Sequence, residues 1–198
     1  MKTDSIIVKS AQKEIPCIIW QPDTVPKAIL IAVHGMTEHA GRYTQFGKRL
    51  SAAGIALVCY DLPGHGHNLP PNSCATFCQD GWKTVLEDLH KINMAIKDIY
   101  INIPVFTLGF SLGSFIVREY INLFPSDSLG TIIMGTGNQP AIILRIMQAI
   151  VKKQIDKAGF DNTTPLIKKL SFETYNNNFK PNRTDSDWLC SDTNQLDQ

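Results

Sequence analysis

From residue 27 onward, short apolar runs rich in β-branched residues alternate with segments of helical periodicity, and this order constrains the fold more than any other feature of the chain. Counted from the start of the chain, the runs are SIIVKS and IPCIIWQ, which precede residue 27, then KAILIAVHG, IALVCYD, IPVFTLGF and LGTIIMGT, most of them bounded by Gly, Pro or Asp. Such runs read as strands. Between the third and fourth, RYTQFGKRLSAAG carries Tyr43, Phe46 and Leu50 at helical spacing, with Gly54 as a stop. Between the fourth and fifth, Trp82, Val85, Leu89, Ile92 and Ile96 recur at three- and four-residue steps, the mark of a helix that buries one face. After the fifth, SLGSFIVREYINLF is again helical. Strand, helix, strand, helix, strand, helix, strand predicts a mostly parallel sheet covered on both faces, preceded by an antiparallel start.

Composition narrows the function classes. The chain has 198 residues, 43% of them hydrophobic, and 19 basic against 18 acidic side chains give a net charge of +1. It is long enough for one domain with a sizeable core, and the charge balance gives no reason to expect nucleic acid as a partner. The N-terminal MKTDSIIVKSAQKEIPCIIW mixes charges into its apolar residues, unlike a signal peptide or a membrane span, so a cytoplasmic location is expected. The five cysteines, Cys17, Cys59, Cys74, Cys78 and Cys190, are odd in number and lack CxxC spacing. That suits reduced thiols better than a disulfide framework or a zinc site.

Ligands on parallel sheets bind at the carboxyl ends of strands. The unusual segments fall there: HGMTEHAGRY after the third strand, DLPGHGHN after the fourth and GFSLGS after the fifth. In the last, Ser111 stands between Gly109 and Gly113 where a strand meets a helix. A serine hydroxyl is a weak nucleophile that needs exposure on a sharp turn, a base, and donors for the developing oxyanion. The GxSxG spacing supplies the turn, because the flanking residues must be small where strand and helix approach closely. In His34-Gly35-Met36, Gly35 lets the backbone bend so that the amide of Met36 can join that of Leu112 as oxyanion donors. Glu38 and Arg42 are spaced to pair across one helical turn. His65 and His67 stand two apart without a carboxylate cluster, which is weak evidence for a metal. His90 is read as a solvated residue on the polar side of its helix. Neither a metal nor another cofactor is expected.

HGMTEHAGRY, DLPGHGHN and GFSLGS, in this order and spacing, resemble the α/β-hydrolase superfamily, and within it the monoacylglycerol lipase and lysophospholipase branch of serine aminopeptidase-like hydrolases. FKPNRTDSDWLCSD is similar to the cap of bacterial members. The resemblance implies an α/β-hydrolase fold, with residues 1–138 the N-terminal part of the core and 139–198 the start of a helical cap. It implies Ser111 as nucleophile, the backbone of Met36 and Leu112 as oxyanion hole, His34 and the glycines as its support, and Glu38 and Arg42 near the alcohol side, unless they form only a local ion pair. Its substrates would be lipid-like esters such as monoacylglycerols or lysophospholipids.

The family order of Ser, acid, His is incomplete here. The histidines are His34, His39, His65, His67 and His90, all before Ser111, while Asp127, Asp156, Asp161, Asp185, Asp187, Asp192 and Asp197 follow it. The expectation is therefore a chain that stops within the cap, inactive alone, or a non-catalytic relative that binds a small apolar ligand or a partner chain. Two surfaces are expected: an apolar helix over residues 141–151 that covers acyl chains or, through its basic end at Lys152 and Lys153, meets a membrane surface, and a last strand left as an open edge through which copies can associate.

Overall fold

A computed structural model describes residues 1–10, 13–68, 77, 80–159, 175–184 and 187–192. The chain forms two compact units, Met1–Asn138 and Gln139–Gln198. The first holds six strands: β1 (Lys2–Ser10), β2 (Lys13–Gln21), β3 (Ala28–Val33), β4 (Ile55–Tyr60), β5 (Val105–Phe110) and β6 (Gly130–Met134). Its helices are α1 (Thr44–Ala52), α2 (Gly81–Ile99) and α3 (Leu112–Leu123), with a 3-10 turn at Ala40–Tyr43 leading into α1. The sheet order is β1-β2-β4-β3-β5-β6. β1 pairs antiparallel with β2, and β2 with β4, while β3 lies parallel between β4 and β5, and β6 parallel to β5. The antiparallel start and parallel remainder are as the strand spacing predicts. β3 is the point where the order reverses, which puts the crevice for a ligand above its carboxyl end.

The central strands are apolar at every position because both faces are covered. Ile29, Ile31 and Val33 of β3 join Ala56, Val58 and Tyr60 of β4 in one core with Val85, Leu89, Ile92 and Ile96 of α2 and Ile116, Val117 and Tyr120 of α3. Leu30 and Ala32 point the other way and meet Leu57, Cys59, Leu108, Trp20 and Tyr43. Each fully buried aliphatic of α2 contributes about 2 kcal/mol relative to exposure. The helical stripes differ from the sequence expectation at their ends. Trp82 is 41% exposed, and Phe46 of α1 turns outward at 37% while Gly47 and Ser51 face inward, because the Trp20 ring lies against Gly47.

Polar side chains fix the helices to the sheet. Asp88, buried on α2, takes Lys13 Nζ and Ser10 Oγ each at 2.5 Å, tying the β1–β2 hairpin down. His90 is not merely solvated as expected. Its ring stacks on Phe124 with centroids 4.1 Å apart, and its Nδ1 lies 2.6 Å from Asp127 Oδ2, which also accepts from Tyr120 Oη at 2.5 Å. The partner that draws it in lies 37 residues further along the chain, beyond the reach of a periodicity argument. Cys17 and Cys59 are buried free thiols, and burial pushes the Cys17 thiol up to about 12. Cys190 is a free thiol as well, while Cys74 and Cys78 lie outside the described residues.

At the open side of the sheet, β6 exposes Ile132, Ile133 and Met134 at 48, 41 and 47%. The second unit holds α4 (Ala141–Ala158), closed by Gly159 at φ +85°, and a 3-10 turn at Tyr175–Phe179. Ile142, Ile143, Leu144, Ile146 and Met147 of α4 are exposed. Among the described residues no helix is long and apolar enough to cross a membrane.

Candidate active site

Ser111 occupies a one-residue turn between β5 and α3. Its backbone is at φ +50°, ψ −114°, a conformation that non-glycine residues rarely hold, that costs about 1–3 kcal/mol and that persists only where the surroundings enforce it. The enforcement is visible. The Ser111 amide donates to the Met134 carbonyl at 2.9 Å, and the Ser111 carbonyl accepts from the Ser114 amide at 2.9 Å and from Ser114 Oγ at 2.5 Å. The flanking glycines are required by distance. A β-carbon on Gly113 would stand 2.1 Å from the Val33 carbonyl oxygen, and one on Gly109 would stand 2.3 Å from that of Gly113. Helix α3 is thus seated directly on the ends of β3 and β5. Leu112 opens α3, so its amide is one of the helix N–H groups with no carbonyl a turn earlier.

The loop after β3 comes to the same place. A β-carbon on Gly35 would lie 3.2 Å from Cβ of Ser111 and 3.3 Å from the Phe110 ring. This loop is held through its backbone. The Leu62 amide donates to His34 Nε2 at 3.0 Å, so the proton sits on Nδ1, which donates to the Gly35 carbonyl at 2.7 Å. That carbonyl shares a planar peptide with the Met36 amide, so the imidazole sets the direction of the Met36 N–H. Burial lowers the pKa of His34, against the raising effect of the Gly35 carbonyl, and keeps the ring neutral. With both nitrogens engaged by backbone, His34 has none left for the Ser111 hydroxyl.

Glu38 and Arg42 do form an ion pair, at 3.8 Å. Glu38 does more than the spacing suggested: its Oε2 accepts the Gly35 amide at 2.8 Å and the Tyr43 hydroxyl at 3.4 Å. Beside them, Thr37 adopts φ +61° and Met36 is 43% exposed. Sequence reading missed Asp61 altogether. This buried carboxylate accepts the Ala40 amide at 2.7 Å through Oδ1, and the His67 amide and ring at 2.9 and 3.0 Å through Oδ2. Burial pushes its pKa up, but the amides of Ala40 and His67 and the His67 ring outweigh it, leaving the carboxyl below the ordinary aspartate range. The available signal was an acid closing an apolar strand directly before a Gly-rich turn. His65 is buried, with Nδ1 2.9 Å from the Pro63 carbonyl, and His67 is exposed.

The structure therefore gathers Ser111, Leu112, Gly109, Gly113, His34, Gly35 and Met36 at the carboxyl ends of β3 and β5, with Glu38 bonded to the Gly35 amide and the exposed Arg42 paired to Glu38. Asp127 lies elsewhere, with His90 and Tyr120 at the end of α3.

Known proteins resemble this chain in sequence and in fold. The family described as serine aminopeptidase, S33, matches residues 24–198. A monoglyceride lipase of Rattus norvegicus is 32% identical over 176 residues, 81% of this chain and 54% of that protein. A monoacylglycerol lipase of Mycolicibacterium smegmatis is 30% identical over 125 residues, 59% of this chain and 40% of that protein. The chain thus spans about half, or less, of the length of these relatives. A thermostable carboxyl esterase from Bacillus coagulans, solved in complex with glycerol, superimposes with a TM-score of 0.80 at 22% identity, over 100% of this chain and 64% of its own, and shows the common fold. With most of its length matched by the family and its sheet ordered as described, this chain belongs to the serine aminopeptidase-like, monoacylglycerol lipase-related family of α/β-hydrolases.

Proposed function

We propose that the protein is a carboxylic-ester hydrolase that works through an acyl-enzyme on Ser111. The observation that carries this reading is the packing of the Gly35 turn against the Ser111 β-carbon, with Ser111 itself held at positive φ. Ser111 Oγ attacks the ester carbonyl carbon, and the carbonyl electron pair moves onto oxygen, where the amides of Met36 and Leu112 receive it. Collapse of the tetrahedral species breaks the bond to the alcohol, and water then releases the acid from Ser111. In this reading the base that takes the Ser111 proton, and the acid that orients it, are supplied from outside these 198 residues: no histidine follows Ser111, and His34 is engaged by backbone. That no histidine follows Ser111 favours a second reading, a non-catalytic relative that holds a small apolar ligand or a partner chain. Serine-dependent turnover by the full gene product separates the two.

Residues 139–198 are read as the start of a cap whose apolar helix α4 covers acyl chains. The names of relatives support lipid-like substrates, a phospholipase of Bacillus subtilis at 27% identity over 152 residues among them. The full gene product is expected to hydrolyse medium- or long-chain monoacylglycerols or lysophospholipids at least about tenfold faster, in kcat/KM, than aminoacyl anilides, because an apolar pocket rewards each buried methylene. Equal or better turnover of the anilides, followed by absorbance, overturns the lipase reading in favour of a peptidase.

Residues 1–198 expressed alone are expected to self-associate through β6. The strand carries three exposed apolar side chains and none of the lysines, prolines or bulges that protect an edge. Sedimentation velocity is expected to show oligomers that Ile133→Lys reduces; a monomer at micromolar concentration contradicts the proposal.

A further inference from the structure

We propose that Asp61 is a positioning residue for the oxyanion turn: its carboxylate anchors the far end of the 35–40 loop to the end of β4, and so fixes where the Met36 amide stands. The proposal rests on the serine-hydrolase reading of Ser111. The loop is a short arc between two anchors. At its near end, the Gly35 carbonyl is held by His34 and the Gly35 amide by Glu38. At its far end, the buried Ala40 donates its amide to Asp61 Oδ1 at 2.7 Å. Between the anchors, Thr37 reverses the chain at φ +61°, and among the described residues no hydrogen bond holds the Met36 amide. Both anchors lead back to the same two residues after β4. The Leu62 amide holds the His34 ring at 3.0 Å, and Asp61 holds Ala40. Asp61 is itself steadied from the opposite side by the His67 amide, a backbone donor that any residue at that position supplies, while the His67 ring beside the same oxygen is exposed to solvent.

A charged acceptor on a backbone amide makes one of the stronger hydrogen bonds, and removing it leaves the Ala40 N–H buried without a partner. The arc then relaxes, and Met36, midway along it, moves. A displacement of about 1 Å at a reacting centre costs on the order of a hundredfold in rate. The Asp61 carboxylate is turned to the backbone amides of Ala40 and His67 and to the His67 ring, so the loss is expected to fall on the chemical step and not on binding.

The test follows the rate at which a fluorophosphonate labels Ser111 in the full gene product, separated into reversible affinity and maximal labelling rate. Asp61→Asn keeps the size of the side chain and the fold, and its maximal rate is expected to fall about tenfold with affinity unchanged, while Asp61→Ala falls by up to about a hundredfold. His67→Ala, which removes an exposed ring and leaves the Ala40 bond in place, is expected to label at the wild-type rate. Asp61→Asn labelling at the wild-type rate, a loss confined to affinity, or an equal loss in His67→Ala overturns the proposal. If the wild-type protein takes up no label at Ser111, the hydrolase reading fails and the positioning role fails with it, a result distinct from labelling that is indifferent to Asp61.

Discussion

Gly113→Ala is expected to yield little or no folded protein, with a loss of stability above about 3 kcal/mol wherever a transition can be measured. The added methyl group would meet backbone on three sides: the Val33 oxygen at 2.1 Å, the Val33 carbon at 2.7 Å and the His34 oxygen at 2.8 Å. No rotamer change relieves such a clash, because the atoms belong to the backbone of β3 and of the buried residue that follows it. Relief requires lifting α3 away from β3, and α3 contributes Ile116, Val117 and Tyr120 to the main core. A domain with a total stability of about 5–15 kcal/mol has little room for that. The serine between the two glycines predicts the opposite sign. At φ +50° a glycine is nearly free of strain, so Ser111→Gly is expected to raise the stability by about 1 kcal/mol while removing the hydroxyl. Urea denaturation of the three proteins checks both signs, and a Gly113→Ala variant as stable as the parent contradicts the described contact of α3 with β3.

Much of this could be read from the sequence, for identifiable reasons. The strands were legible because burial on two faces makes them apolar without interruption, as in Ile29 to Val33 and Ala56 to Tyr60. The serine turn was legible because close approach admits only glycine at two fixed positions. Contacts between distant parts of the chain were not. The outward turn of Phe46 depends on Trp20, the pairing of His90 on Asp127, and the role of Asp61 on the amide of Ala40, 21 residues earlier. Glu38 was noticed for its spacing to Arg42, yet its shorter bond goes to the Gly35 amide, which as a backbone group leaves no mark on the residue pattern. Backbone donors and acceptors are common to all residues, so a site built from them is visible only once the chain is folded.

Ser111→Ala is expected to abolish ester hydrolysis by the full gene product, by at least about ten-thousandfold in kcat, since removal of a nucleophile leaves only the contribution of binding and oxyanion stabilisation. The fold should be undisturbed, because the bonds that hold the turn run through the Ser111 amide and carbonyl and not through its hydroxyl. The most direct measurement is therefore mass spectrometry of the full gene product after treatment with a fluorophosphonate. The account predicts a single adduct on Ser111, absent from Ser111→Ala. An adduct on another residue, or undiminished hydrolysis by Ser111→Ala, would contradict it.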